Sequence, residues 1–130
     1  MKKFIALILI LACTLAFVSC SRAAAKGGAL LKEGTVKRIT VTSLPEQYNY
    51  SFRGNAAQRI IDYVSGLDLI ADFSENPDEY KGGAWVISLE YENGDVLTIY
   101  HRGNMFIRAE NGPWYKMTYE EASAFDALLK

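Results

Sequence analysis

Apolar residues keep a different period in each stretch of the chain, and the period marks the element. From Phe4 to Val18 the chain runs apolar but for Thr14, behind Lys2-Lys3. From Thr35 to Thr42, β-branched residues alternate loosely with polar ones, which predicts a strand. Leu44-Pro45 interrupts the alternation, and Tyr48, Tyr50 and Phe52 resume it as a short extended piece. Ala57, Ile60, Ile61 and Val64 then fall at i, i+3, i+4 and i+7, one stripe of a helix. Asn55 is its expected cap, with Gln58 reaching back, and Gly66 its left-handed stop. Leu67 to Phe73 reads as a short strand or an extended packing segment, and Ser74 to Gly83 as loop.

Period-two alternation is clearest at Trp85 to Tyr91, Asp95 to His101 and Met105 to Ala109. The turn pairs Asn93-Gly94 and Gly103-Asn104 separate them and predict an antiparallel meander. Asn111-Gly112-Pro113 leads into a short strand at Trp114 to Met117. Thr118-Tyr-Glu-Glu121 is a capping box opening a last helix with Ala122, Phe125, Leu128 and Leu129 as its buried stripe. The expected fold class is α+β, an antiparallel meander sheet of about four to five strands with two helices on one face.

Two-residue turns would set Tyr91 against Val96, Leu89 against Thr98, Ile87 against Tyr100, Tyr100 against Ile107 and Arg102 against Met105. The helices are then expected over Trp85, Ile87, Leu89, Tyr91, Val96, Tyr100, Met105, Ile107 and Ala109. The opposite face would carry Val86, Ser88, Glu90, Leu97, Ile99, His101, Phe106 and Arg108. Leu97, Ile99, His101, Phe106 and Arg108 are therefore candidate binding residues on an open patch. The competing reading is that the first strand or Leu67 to Phe73 covers that face, or that it is an ordinary half-wet sheet surface. A one-residue slip in either turn would exchange the two faces.

The N-terminus bears on location. Phe4 to Val18 is shorter than the roughly 20 apolar residues a spanning helix needs, and with Lys2-Lys3 it reads as an export signal. Phe17-Val18-Ser19-Cys20 resembles a bacterial lipobox, with Phe17 where Leu is usual, so Cys20 is the expected lipid attachment site. Cys13 is a competing position, and plain cleavage around Ser19 to Ala25 is the alternative. The chain thus divides into a signal peptide at 1–19, a lipidated cysteine with a flexible tether at 20–34, and a single domain at 35–130. Cys20 would be the mature protein's lone cysteine, which leaves no disulfide. Arg22, Lys26 and Lys32 make the tether basic, whereas the chain from Thr35 onward holds nine Lys/Arg against fourteen Asp/Glu. A basic tether suits an anionic membrane surface, and nothing in the pattern suits a nucleic-acid partner.

Catalytic chemistry is sparsely represented. His101 is the single histidine, and Ser88 and Glu90 on its expected face make a hydrolase set in composition only, since a serine mid-strand lacks the sharp turn and oxyanion donors of a nucleophile. Glu75, Asp78 and Glu79 share a loop without EF-hand spacing. Gly82-Gly83 precedes a strand, not a helix, so no phosphate site is indicated. No cofactor and no metal is expected. Aromatic residues are the remaining signal: Trp114 and Tyr115, with Tyr48, Tyr50, Tyr80 and Tyr119, form either a surface for peptide or glycan, or core lids.

The run from Ala84 through Asn93-Gly94, Met105-Phe-Ile-Arg108, Trp114-Tyr-Lys-Met117 and Phe125 to Leu128 resembles uncharacterised small lipoprotein domains of Gram-positive-type bacteria. The resemblance covers Ala84 to Leu129. It implies a secreted, membrane-tethered location and brings no catalytic residues. The functional expectation is a lipid-anchored extracytoplasmic binding module, non-enzymatic, for protein, peptide or glycan. An envelope assembly accessory and a hydrolase using His101 are the alternatives.

Overall fold

The computed structural model describes residues 25–80, 82–103 and 105–129. Cys20 and the export signal lie outside them. The fold is α+β. Its main sheet has six antiparallel strands in the order β3-β2-β5-β6-β7-β8. These are β2 (Val36–Leu44), β3 (Asn49–Phe52), β5 (Ala84–Tyr91), β6 (Val96–Arg102), β7 (Phe106–Ala109) and β8 (Tyr115–Lys116). Strands β5 to β8 form the expected meander, and the hairpin β2-β3 extends it beyond β5, which gives more strands than the four to five expected. Two helices, α1 (Gly54–Gly66) and α2 (Tyr119–Leu128), complete the unit.

Both meander turns are one residue longer than expected, and this exchanges the faces of β6. Tyr91 N–H donates to Asp95 O at 2.8 Å and Gly94 N–H to Tyr91 O at 3.1 Å, with Gly94 at φ +95°. That is a three-residue loop closed by a left-handed glycine, the alternative to a two-residue turn. The pairs are therefore Leu89 with Leu97, Ile87 with Ile99 and Trp85 with His101. Arg102 likewise pairs with Phe106 and His101 with Ile107, across a loop that contains Gly103 at φ +58°. Leu97, Ile99 and His101 thus join Ile87 and Leu89 on the core face, while Val96 and Tyr100 move to the opposite one.

The core follows from this register. Ile39 and Val41 of β2, Ile87 and Leu89 of β5, Leu97 and Ile99 of β6 and Ile107 of β7 pack with Ala57, Ile60 and Val64 of α1 and Ala122 and Phe125 of α2. Each fully buried branched side chain contributes about 1.5–3 kcal/mol from apolar burial. Phe125 is the centre of an aromatic cluster with Tyr63, Trp85 and His101. The capping box of α2 is formed as expected: Thr118 Oγ1 accepts from Glu121 N, and Glu121 Oε1 accepts from Thr118 N. Its other oxygen accepts from Asp68 N at 2.9 Å, tying α2 to the segment after α1. Helix α1 departs from expectation at both ends. Arg53, not Asn55, is its cap and makes no side-chain bond, and Gln58 instead donates to Asp62. Gly66 is helical, and Leu67 ends the helix in extended conformation.

Part of the expected tether belongs to the folded unit. Strand β1 (Ala25–Lys26) pairs with β4 (Asp68–Leu69), and Leu30 is buried in the core. Gly27 N–H donates to Leu67 O at 2.8 Å, and Lys32 N–H to the Tyr91 hydroxyl at 3.0 Å. Among the described residues, the folded unit therefore includes the ten residues before Thr35. No helix among the described residues is long and apolar enough to cross a membrane.

Candidate functional site

Three elements meet at one end of the sheet. The first is the loop between β2 and β3, which is built around one hydroxyl. Ser43 Oγ accepts from Gln47 N at 3.0 Å and Tyr48 N at 2.9 Å and donates to Pro45 O at 3.0 Å, while Ser43 N–H donates to Tyr48 O at 3.0 Å. These bonds place the Tyr48 ring, which stacks on Tyr50 at 6.3 Å between centroids. Tyr50 in turn leans on Trp85 at 6.2 Å.

Glycines form the second wall. A Cβ on Gly82 would stand 2.1 Å from the Tyr80 ring, and one on Gly103 would stand 2.7 Å from it. Only bare backbone allows Tyr80 to lie there. Gly82 and Gly103 thus serve ring packing, while a Cβ on Gly83 would stand 3.2 Å from the Leu44 carbonyl oxygen.

Helix α2 supplies the third. Tyr119, Ala122, Ser123 and Asp126 fall at i, i+3, i+4 and i+7 and flank the cleft, with Phe125 turned inward. Together the elements enclose a cleft of about 390 Å³, lined by Leu44, Tyr48, Tyr80, Trp85, Tyr119 and Asp126 among others. Tyr48, Tyr80 and Tyr119 are 55%, 42% and 65% exposed, and with Leu44 they are four of the five large apolar or aromatic residues exposed among the described residues. An exposed aromatic cluster around a concavity is the usual mark of an interaction site.

His101 lies beneath this cleft. It is 3% exposed, stacks on Phe125 at 5.0 Å with 21° between planes, and neither ring nitrogen has a hydrogen-bond partner. Burial pushes its pKa down to about 4, against a smaller opposing pull from Asp126. The imidazole is neutral at physiological pH, and its burial makes it a weak base. Ser88 and Glu90 sit on the opposite face from it, and Glu90 Oε2 accepts from Arg38 Nη2 at 2.6 Å. The serine, histidine and glutamate therefore do not assemble.

The remaining sequence candidates scatter. Leu97 and Ile99 are core residues, so with His101 they form no open patch. Phe106 does lie on the other face but is buried against Phe73 at 5.6 Å, so the Leu67 to Phe73 segment covers it. Arg108 and Trp114 meet on that outer face, the guanidinium 4.5 Å from the ring centroid. The Trp114 indole N–H donates to Asp78 at 3.2 Å, Arg102 Nη1 to Pro77 O at 3.2 Å and Lys116 Nζ to Glu75 at 2.6 Å. These bonds pin the loop before β5, so the ring of Trp114 is a clasp. Its neighbour Tyr115 packs against the core. Glu75 is held below its usual range by its bond to Lys116. Among the described residues no group of His, Cys, Asp and Glu could hold a metal ion.

The sequence grouped Tyr48, Tyr80 and Tyr119 with Tyr50, Trp114 and Tyr115 as one possible surface; the first three line the cleft and the last three do not, while Trp85, Ser123 and Asp126 were not foreseen there. The available signal was the i, i+4, i+7 spacing of Tyr119, Ser123 and Asp126 on the side of α2 next to its buried stripe. No family model, curated protein or solved structure matches the chain.

Proposed function

We propose that the protein is a lipid-anchored, extracytoplasmic binding module that captures a peptide or glycan in the aromatic cleft and performs no chemistry on it. One observation carries the reading: Tyr48, Tyr80 and Tyr119, far apart in sequence, stand exposed around a single cleft. Solvent-exposed rings cost solubility unless they are used. The anchor rests on the sequence at Phe17 to Cys20, and the basic residues that follow suit a membrane-proximal position.

Two measurements test this. Fatty-acid labelling of cells should mark the wild-type chain and not Cys20→Ser; equal labelling removes the anchor. Full-length chain purified in mild detergent should bind soluble peptidoglycan fragments or a mixed peptide library, with at least about tenfold loss in Tyr48→Ser/Tyr119→Ser. Binding unaffected by the double variant removes the cleft as the site.

A further inference from the structure

The geometry points to a ligand class for this cleft: we propose that it receives a primary ammonium group on an alkyl stem, as at the end of a lysine side chain. The proposal deepens the binding-module reading and rests on it. Charge is the first argument. Asp126, exposed on α2, is the one charged side chain among the described residues that line the cleft. An anionic ligand would meet this carboxylate with no described cation to offset it, whereas a cation is attracted. The chain from Thr35 onward, with nine Lys/Arg against fourteen Asp/Glu, adds a field of the same sign.

Ring chemistry is the second argument. A cation within about 6 Å of an aromatic centroid is drawn to the negative face of the ring, and four rings, Tyr48, Tyr80, Trp85 and Tyr119, line the cleft. His101 beneath them is an uncharged imidazole and adds no repulsion.

Hydrogen bonding selects a primary over a quaternary ammonium. Asp126 and the tyrosine hydroxyls are acceptors, and a primary ammonium brings three N–H donors while a quaternary one brings none. Leu44, Pro45 and Trp85 are among the residues that line the cleft and offer apolar surface for the stem, the packing that lysine methylenes make wherever the charged head stays in water.

The test is a set of titrations of full-length chain in mild detergent, read by NMR at the Trp85 indole and the Ser123 and Asp126 amides. Trp114, on the outer face, is the internal control. n-Butylammonium and Nα-acetyl-lysine methylamide should move the cleft resonances saturably, with at least about tenfold weaker binding in Asp126→Asn. Tetramethylammonium should bind more weakly, and 1-butanol should leave the resonances in place. Asp126 is exposed, so its isosteric variant leaves the fold intact. If 1-butanol or an amine-free, fully N-acetylated oligosaccharide matches the ammonium probes, or Asp126→Asn binds equally well, the cleft stands as a site and the ammonium assignment falls. If no probe of any class moves these resonances, both readings fall.

Discussion

Replacing His101 by phenylalanine should flatten the acid side of the stability profile. In the folded chain burial holds the imidazole pKa down to about 4, against about 6.5 when unfolded. Between those values the unfolded state binds a proton that the folded state does not, so wild-type stability rises with pH across the window. The His101 contribution is fully present above about pH 6.5 and is lost progressively toward pH 4. The difference of about 2.5 units corresponds to about 3 kcal/mol at 1.36 kcal/mol per unit. Phenylalanine keeps a ring over Phe125 and removes the titration, while any packing cost it brings is independent of pH. Urea unfolding of both proteins at pH 7.5, 6, 5 and 4 gives the comparison, because carboxylate contributions are common to both and cancel. Wild type should lose about 3 kcal/mol more than the variant between pH 7.5 and 4. Parallel profiles would refute the buried neutral imidazole.

Other substitutions test the supports of the cleft. Ser43→Ala leaves the amides of Gln47 and Tyr48 without their acceptor and should cost about 1–3 kcal/mol in urea unfolding, with a broadened Tyr48 ring signal. Gly103→Ala combines a φ of +58° with a Cβ 2.7 Å from the Tyr80 ring, so Tm should fall by several degrees and Tyr80 should shift. Thr118→Ala removes the capping box of α2 and should cost about 1 kcal/mol. Breaking the surface pair of Arg38 and Glu90 should change stability by less than about 1 kcal/mol, with the difference vanishing in high salt.

Element types were legible wherever local chemistry decides them. The meander strands are β-rich stretches bounded by turn pairs, Thr118 to Glu121 carries both halves of a capping box, and Ala57 to Val64 carries a helical stripe, and all of these formed. Face assignment was not legible. Asn93-Gly94 suits a two-residue turn and also the last two positions of a three-residue loop, and the choice between them moves Leu97, Ile99 and His101 from outside to inside. Leu97 and Ile99 are apolar and Thr98 and Tyr100 amphipathic, so β6 alternation alone weighs little against a turn. The cleft was illegible for a different reason. Its rings come from the β2-β3 loop, the loop before β5, β5 itself and α2, and nothing local in Tyr48 or Tyr80 encodes that they meet. The docking of Ala25 to Leu30 likewise depends on Asp68 and Leu69, some forty residues away.

The most direct test of the account is a shift map of the isotope-labelled, full-length chain on adding the mixed peptide library and then peptidoglycan fragments. Perturbations should concentrate at Tyr48, Tyr80, Trp85, Tyr119 and Asp126, with the outer face silent. Perturbations confined to Tyr100, Arg108 and Trp114, with the cleft unmoved, would contradict it.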